Sequence, residues 1–351
     1  MSINIIVSAY KEVEMKITID DVAKDSGVST ATVSRYLNNS PKISEKSKKK
    51  VRKSMEKLNY MPNFLAQSLA GVITHTIAFV IDSTNEKTYG NEFFAKIQFG
   101  VERELSKQGF YMLVISIEDV KQGTKTLHKM IMEKRIEGVI LPIELASSSI
   151  TEFLKDIDFP FAIIGQHDDP EIICADINNL QGAFLATQTL IEKGSRKILY
   201  VSPEYNKDSL LNSRFTGYKK ALEKNNIPLN LNLVELSCNS FEIAKTLGKE
   251  IIDQKKDIDG IVCTDNKIAF TLVQYLTKAG TKIPEELQVI CFDNTDLTII
   301  SEPSISVVDI DVVILGQVLA RKVLGGFNSE EKLNSMELIN AGLTLRQTTR
   351  K

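Results

Sequence analysis

Residues 18–38 read TIDDVAKDSGVSTATVSRYLN, and the spacing of their polar and apolar side chains predicts two short helices. Thr18, followed three residues later by Asp21, has the pattern of a capping box at the start of a helix. Gly27 ends this helix after about two turns, because glycine readily adopts the left-handed backbone that closes a helix. Ser29 caps a second helix directly afterwards. Two short helices joined by a tight, glycine-containing turn predict a helix-turn-helix motif.

A third helix follows this motif. Ser44 caps it, and Val51, Met55 and Leu58 recur at helical spacing on its inner face. On the second helix, the outward residues lie in the turns where a recognition helix meets base edges. The alternative is a three-helix bundle that binds no ligand. The predicted inward residues are Val22, Ala23, Val28, Val33 and Leu37, and the outward ones are Thr30, Ala31, Ser34 and Arg35.

The charge of the chain is distributed unevenly. The whole chain has 43 Lys and Arg against 45 Asp and Glu. Residues 16–71 nevertheless hold eleven Lys or Arg and only five Asp or Glu, so the remainder is acidic. A small basic module joined to a larger acidic part indicates a polyanionic partner, although a basic run taken alone also suits a solvated helix face. The basic side chains concentrate at Lys42, Lys46, Lys48, Lys49, Lys50, Arg52, Lys53 and Lys57.

Two stretches, in the right order and spacing, resemble a known family. Residues 19–38 resemble the DNA-binding signature of the LacI/GalR family of bacterial transcription regulators. Residues 58–71, LNYMPNFLAQSLAG, resemble the hinge of the same family. The resemblance continues more loosely to the end of the chain. It implies DNA contacts from Thr18, Ser29, Thr30, Ala31, Thr32, Ser34, Arg35, Asn38, Asn63, Ala66 and Leu69.

The chemistry of these side chains suits the roles that the resemblance implies. Thr30 and Ala31 match positions that read bases in the major groove, where Ala31 offers only a methyl contact to thymine. Arg35 matches a position that contacts a base or a phosphate, and an arginine can chelate a guanine edge. The family usually has Val or Ile after this arginine, so Tyr36 is expected to alter packing instead of DNA reading. The residues that match phosphate-binding positions are Ser29, Thr32, Ser34 and Asn38.

The hinge is too short to form a stable helix by itself. Pro62 begins it, Asn63 can cap it and Gly71 ends it, which leaves about seven helical residues, fewer than an isolated helix needs. We expect it to fold only on DNA, against the hinge of a second subunit. The resemblance implies that Leu69 is a wedge between base pairs in the minor groove. The alternative is that Leu69 packs between domains.

Apolar runs alternate with amphipathic stretches from Thr76 onward. This alternation predicts parallel sheets with helices on both faces, and the length favours two such sheets. It resembles the family's effector domain, a periplasmic-binding-protein-like pair of doubly wound α/β lobes with a ligand cleft between them. The predicted strands are Ile77–Ile81, Tyr111–Ser116, Gly138–Leu141, Phe161–Ile164, Ile198–Val201, Gly260–Cys263 and Val289–Phe292.

These patterns divide the chain into four regions. Residues 1–15 are expected either to be a disordered leader or to precede a translation start at Met15. Residues 16–61 form the helix-turn-helix DNA-binding domain, and residues 62–73 form the hinge helix and linker. Residues 74–351 form a two-lobed domain for effector binding and dimerisation.

Within the two-lobed domain we expect the chain to cross between lobes three times. The crossings are placed near Asp176, near Ser306–Asp309 and after Phe327. The predicted N-lobe therefore comprises residues 74–176 and 309–327. The predicted C-lobe comprises residues 177–306 and 328–351.

Several polar residues follow predicted strands of the two lobes. Ligands of open α/β sheets bind at the carboxyl ends of strands, where Asp82, Gln166, Asp265 and Asp293 fall. The resemblance implies an effector role for Asp265 and Asp293 and adds Arg214 and the aromatic pair Phe93 and Phe94. Carboxylates and an arginine that bind vicinal hydroxyls, beside an aromatic face, suit a carbohydrate. The alternative for each residue is a helix cap or a core aromatic.

Other classes of protein are disfavoured by what the sequence lacks. No apolar run approaches the roughly 20 residues that a membrane-spanning helix needs, and the start does not have the pattern of a signal peptide. There is no G-x-G-x-x-G, P-loop or G-x-S-x-G, so we expect neither an enzyme nor a bound cofactor. His167-Asp168-Asp169 is expected in a surface loop without a metal. The widely spaced cysteines, which suit reduced core thiols, are Cys174, Cys238, Cys263 and Cys291.

We therefore predict a cytoplasmic, homodimeric regulator that represses a carbohydrate-utilisation operon. Two headpieces bind half-sites of a double-stranded operator, and a small effector, a sugar or a sugar phosphate, controls operator affinity. The loop Ser83–Asn91 and residues 178–181 resemble the maltose-type repressors of the family. Two alternatives stay open. One is a global carbon-catabolite regulator with a phosphocarrier protein as partner, and the other is a soluble sugar-binding protein without a DNA function.

Overall fold

A computed structural model describes residues 17–37, 40, 42–60, 74–82, 92–117, 120–203, 209–253, 257–327 and 335–351. Several predictions concern residues outside these ranges. They are the leader 1–15, the hinge 62–73 with Asn63, Ala66 and Leu69, the DNA contact Asn38, and the loop 83–91.

The amino-terminal unit contains the predicted helix-turn-helix. Its helices are α1 Ile19–Ser26, α2 Thr30–Leu37 and α3 Glu45–Lys57. The predicted capping box is present, because Thr18 N donates to Asp21 Oδ2 at 2.8 Å and Asp21 N donates to Thr18 Oγ1 at 3.4 Å. Gly27 closes α1 with a left-handed backbone, at φ 64°.

A small apolar core joins the three helices. Val22, Val33 and Val51 have no exposed surface, and each contributes about 1.5–3 kcal/mol of burial free energy. Polar groups tie the same helices together, since Ser54 Oγ on α3 donates to the carbonyl of Val22 on α1 at 3.3 Å. Tyr36 packs partly buried against this core, in agreement with the expectation that it affects packing.

The N-lobe is built on a six-stranded sheet with the order β11-β5-β4-β3-β1-β2. Its strands are β1 Thr76–Asp82, β2 Tyr111–Ile117, β3 Gly138–Pro142, β4 Phe161–Ile164, β5 Cys174–Ile177 and β11 Met336–Ile339. Its helices are α4 Glu92–Lys107, α5 Val120–Met132, α6 Ser148–Asp156 and α12 Val312–Gly325.

The C-lobe is built on a second six-stranded sheet with the order β12-β10-β9-β8-β6-β7. Its strands are β6 Ile198–Val201, β7 Val234–Glu235, β8 Gly260–Cys263, β9 Gln288–Phe292, β10 Ser306–Asp309 and β12 Gly342–Thr344. Its helices are α7 Asn179–Glu192, α8 Ser209–Lys224, α9 Phe241–Asp253, α10 Asn266–Lys278 and α11 Asp296–Ile300.

Both sheets are doubly wound, as predicted. The described pairs of neighbouring strands are parallel, except that β12 runs antiparallel to β10 at the sheet edge. In the C-lobe, α7 and α8 cover one face of the sheet and α9 and α10 cover the other. All four cysteines are buried and free. Among the described residues, no helix is long and apolar enough to cross a membrane.

The third crossing between lobes lies later in the chain than expected. The chain passes from the first sheet to the second after Ile177 and returns after Asp309. Residues 336–339 then pair in parallel with β5 in the N-lobe sheet, so the placement of the whole segment 328–351 in the C-lobe is wrong. The final crossing follows Ile339. This edge strand is only partly buried, so it lacks the continuous apolar run that identifies a central strand.

Close helix contacts position two of the elements that carry site residues. Gly100 on α4 lies against Gly316 on α12, and a side chain at either position would overlap the opposite backbone. Gly217 on α8 lies in the same way against the carbonyl of Leu180 on α7. These glycines therefore permit the close approach of α4 to α12 and of α8 to α7.

Candidate DNA-binding surface and effector cleft

The exposed face of α2 is the candidate surface for reading bases. Thr30, Ala31 and Arg35 are all exposed on it. Within the described residues Arg35 has no ion pair or side-chain hydrogen bond, so its guanidinium is available to a ligand. Ser29 and Thr32 are hydrogen-bonded to each other at 2.9 Å, and Thr32 N donates to Ser29 Oγ at 3.2 Å. Ser29 therefore caps the start of α2, and its hydroxyl also contacts that of Thr32.

A surplus of positive charge lies on α3. Lys48 pairs with Glu45 at 2.8 Å, and Lys57 pairs with Asp25 on α1 at 2.5 Å. The remaining basic side chains of α3 are exposed, and the described part of the chain offers them no ion pair. Cations of this kind attract a phosphate backbone without reading its sequence. They are Lys46, Lys49, Lys50, Arg52 and Lys53.

A cleft of about 870 Å³ opens between the N-lobe and the C-lobe. The N-lobe contributes the start of α4, with Phe93 and Lys96, and the C-lobe contributes the residues that follow β8 and β9. Carboxyl ends of parallel strands are the usual ligand-binding edge of a doubly wound sheet. Of the predicted effector residues, Phe93, Asp265 and Asp293 line this cleft.

Arg214 is buried in the C-lobe, close to the predicted carboxylates. Its Nε donates to Asn179 Oδ1 at 2.9 Å, and its Nη1 donates to the carbonyl of Thr264 at 2.8 Å. The guanidinium lies 3.9 Å from the centre of the Phe292 ring. Burial lowers the pKa of Arg214, and the nearby carboxylate of Asp293 acts in the opposite direction. Arg214 is therefore a buried cation, fixed by its hydrogen bonds, whose charge interacts electrostatically with the carboxylate of Asp293.

Asp293 lies directly after β9 with an unusual backbone, at φ 70°. A non-glycine residue in this region is strained, and such strain is concentrated at binding sites. Burial raises the pKa of Asp293, and the Asp265 carboxylate raises it further, whereas Arg214 lowers it. The charge of Arg214 therefore favours the ionised form of Asp293 at the cleft.

Asp265 has a structural role besides facing the cleft. Its Oδ1 accepts hydrogen bonds from Lys267 N at 2.8 Å and from Ile268 N at 2.9 Å, so it caps α10. Phe93 on α4 meets Phe94 edge to face, with ring centres 5.5 Å apart. Asp265 can cap α10 and also bind the predicted effector, because Oδ1 accepts the two helix N–H groups and a carboxylate has a second oxygen.

Asp176 and Asn179 were not foreseen as site residues. Asp176 is buried at the end of β5, and its Oδ2 accepts a hydrogen bond from Gln166 Nε2 at 3.0 Å. Burial raises the pKa of Asp176, while the charge of Arg214 lowers it. One feature of the sequence could have identified Asp176 as a site residue, because it is an acidic residue between an apolar run and Asn178. This position was interpreted only as a crossing between lobes.

Four predicted effector residues, Asp82, Phe94, Gln166 and Arg214, lie outside the set that lines the cleft. Gln166 contacts Asp176 instead, and Phe94 packs on Phe93. Adjacent residues of a helix point about 100° apart, so only one of the two aromatic side chains faces the opening. Asp82 ends β1, immediately before the undescribed loop 83–91.

Comparison with known proteins adds independent information. Residues 18–63 match the model of bacterial regulatory proteins of the lacI family, and residues 187–349 match a periplasmic binding protein-like domain. The chain is 29% identical to the HTH-type transcriptional regulator MalR of Streptococcus pneumoniae and 31% identical to the HTH-type transcriptional regulator RegA of Clostridium acetobutylicum. Each alignment covers 90% of this chain and 94% of the relative.

Solved structures are similar over nearly the whole chain. The lac repressor dimer bound to operator and the anti-inducer ONPF superposes with a TM-score of 0.72 at 21% identity, covering 95% of this chain and 99% of that one. This likeness supports the arrangement of a helical headpiece and two parallel-sheet lobes.

Proposed function

The chain belongs to the LacI family of bacterial regulatory proteins, and we propose that this transcription regulator represses a carbohydrate-utilisation operon under the control of a sugar effector. The observation that carries the DNA-binding part is the exposed face of α2, where Arg35 has no ion pair among the described residues, together with the surplus of cations on α3. Because the operator lies on DNA in the cytoplasm, this function places the protein in the cytoplasm.

The headpiece contacts follow the family resemblance, and the chemistry of the side chains supports them. Arg35 and Thr30 bond base edges in the major groove, and Ala31 contacts a thymine methyl group. Thr18, Ser29, Thr32, Ser34 and the lysines of α3 set the register on the phosphate backbone. Asn38 and the hinge residues Asn63, Ala66 and Leu69 complete the interface, with Leu69 as the minor-groove wedge.

Binding to duplex DNA tests this part of the proposal. Pseudo-palindromic duplexes are recovered from a random pool by in vitro selection with the full chain, and affinity is measured by fluorescence anisotropy against salt. We expect a selected half-site motif and a steep loss of affinity with salt, because phosphate contacts release counterions. A chain that selects no motif and binds without salt dependence is a sugar-binding protein and contradicts the proposal.

The effector part rests on the C-lobe residues around the cleft. Asp265 and Asp293 accept hydrogen bonds from ring hydroxyls, Phe93 supplies an apolar face, and the buried charge of Arg214 favours the ionised form of Asp293. The effector couples to DNA by favouring one arrangement of the lobes, and thereby of the two hinges that must pair on the operator.

A homodimer explains an exposed apolar surface of the effector domain. On the edge strand β2, Tyr111 is 68% exposed and Val114 is 43% exposed. Exposed apolar edge strands are normally covered by a partner, and a two-fold dimer is the commonest solution. We expect Tyr111→Glu to shift the chain from dimer to monomer in light scattering, with Lys125→Glu as a control. An unchanged dimer places the interface elsewhere.

A further inference from the structure

Five helices begin at the cleft, each with an acidic side chain in its cap or first turn, and four of these side chains line the cleft. Helix amino-termini are natural sites for anions, because unpaired N–H groups and the helix dipole both favour negative charge. In this cleft those positions already carry acidic side chains of the protein. They are Glu92 at the start of α4, Glu242 in the first turn of α9, Asp265 as the cap of α10, Asp296 at the start of α11 and Asp311 as the cap of α12.

The cations near the cleft compensate for only part of this negative charge. Lys96 pairs with Glu92 at 2.5 Å, one helical turn away. Arg214 is bonded to Asn179 and to the carbonyl of Thr264. Lys267 is the remaining lysine of the lining, and its ammonium has no ion pair within the described residues. With Asp293 added, the lining holds a clear excess of negative charge.

The cleft also extends beyond the Asp293 region. A second group of lining residues lies at the start of α9, where Phe241 is 51% exposed beside Asn239 and Glu242. The volume of about 870 Å³ lies toward the upper end of the range of about 300–1,000 Å³ for small-molecule pockets. Two aromatic faces, Phe93 and Phe241, are thus available in one cleft.

We propose that the effector is an uncharged sugar of at least two rings, and not a phosphorylated or otherwise anionic metabolite. This inference rests on the sugar-controlled regulator proposed above. One ring lies against Phe93 with its hydroxyls donating to Asp265 and Asp293. The second ring lies against Phe241 with its hydroxyls donating to Glu242. Ionised carboxylates only accept hydrogen bonds, so they bind hydroxyls and repel phosphate.

Matched ligands test the proposal on the purified full chain. Isothermal titration is carried out with cellobiose, maltose and lactose, with their 6′-phosphates, and with glucose and glucose 6-phosphate. We expect at least one neutral disaccharide to bind at least about tenfold more tightly than its phosphate and than glucose, since one ring contact and one charge repulsion each change affinity by this order. A phosphate that binds equally or better, or a panel in which no disaccharide binds, overturns the proposal.

Two variants test the second ring. Phe241→Ala is expected to weaken the disaccharide about tenfold while leaving glucose unchanged, because stacking on one aromatic ring is lost. Ile243→Ala is the control, since Ile243 is 40% exposed on the same helix and does not line the cleft. Equal effects of the two variants, or an unchanged disaccharide affinity in Phe241→Ala, contradict the second ring site.

The outcome for this inference is separable from that for the proposed function. If a sugar phosphate binds the cleft and changes operator affinity in anisotropy, the regulator stands and the uncharged ligand is wrong. If a neutral disaccharide binds without any effect on operator affinity, the ligand class stands and the regulatory coupling is wrong.

Discussion

Helix α2 of the headpiece and the helices of the effector cleft begin in opposite ways, although α1 and α3 of the headpiece also have acidic residues in their first turns. Helix α2 begins with Ser29 and has no acidic residue in its first turn, whereas every helix that begins at the cleft carries a carboxylate. A free helix start attracts phosphate, and an acidic one attracts hydroxyl or ammonium donors. The presence or absence of an acidic residue at a helix start therefore favours a neutral ligand in the cleft and a polyanion at α2.

The largest effect is expected from removing the buried cation of the cleft. Arg214→Ala removes the hydrogen bonds to Asn179 and Thr264 and the positive charge that favours the ionised forms of Asp176 and Asp293, and each buried polar group left without its partner costs about 1–3 kcal/mol of unfolding free energy. Effector binding is lost with it. Urea unfolding and ligand titration measure both losses. Arg321→Ala, at an exposed arginine 3.7 Å from Glu104, is the control. If Arg214→Ala is as stable as Arg321→Ala, then neither the charge nor the hydrogen bonds of Arg214 stabilise the folded C-lobe.

On the headpiece, removing the exposed arginine acts on binding and leaves stability unchanged. Arg35→Ala is expected to weaken specific operator binding by about 1–3 kcal/mol, because a base contact is lost. Arg52→Ala is the matched variant at a phosphate-type position, which should weaken all sequences equally and reduce the salt slope by about one. Anisotropy on specific and random duplexes distinguishes them. Equal losses on both duplexes in Arg35→Ala would assign this residue to a phosphate.

A reversed helix start sharpens the comparison between the two regions. Thr30→Glu places a carboxylate in the first turn of α2, as in the cleft helices. We expect the headpiece to gain about 0.3–1 kcal/mol of stability from the helix dipole while DNA affinity falls. Thermal unfolding and anisotropy measure the two changes, and Thr30→Gln separates charge from shape. A glutamate variant that binds DNA like the glutamine variant would contradict the role of this helix start.

The smallest effect at neutral pH concerns Asp293. Because burial raises its pKa above the ordinary value of about 3.9, Asp293 gains a proton at a higher pH than an exposed aspartate. In that window the folded state binds more protons than the unfolded state, so this group's contribution to stability falls as pH rises. Sugar affinity should instead fall as pH is lowered through the raised pKa. Ligand titration at a series of pH values measures this change in sugar affinity. Asp293→Asn should abolish the pH dependence of sugar affinity. If the pH dependence persists in Asp293→Asn, it arises from another titratable group.

Local patterns predicted the headpiece well. The capping box of Thr18, the left-handed Gly27 and the Ser44 cap depend only on residues within one turn. Likewise, buried strands such as Phe161–Ile164 and Ile198–Val201 appear as predicted because continuous apolar runs identify them. The edge strands β7, β11 and β12 were not predicted, since they are short and partly exposed, and neither were the buried strands β5 and β10, whose apolar runs are interrupted by polar residues such as Asp176 and Ser306.

The site was predicted only in part. Strand ends and the family resemblance pointed to Asp265 and Asp293, which line the cleft. They did not reveal Asp176, whose contact with Gln166 joins two neighbouring strands. Nor did they separate Phe93 from Phe94, because the direction of each ring depends on how α4 packs against α12.

The amino-acid sequence by itself determined the helix-turn-helix, the two α/β lobes and the family, because these follow from local spacing and long motifs. The tertiary structure alone decided which charges meet. It brings Arg214 beside Asp293 and gathers five acidic helix starts around one cleft, although these residues are spread over more than half of the chain. Electrostatic interactions depend on distance in space, and no local pattern records that distance.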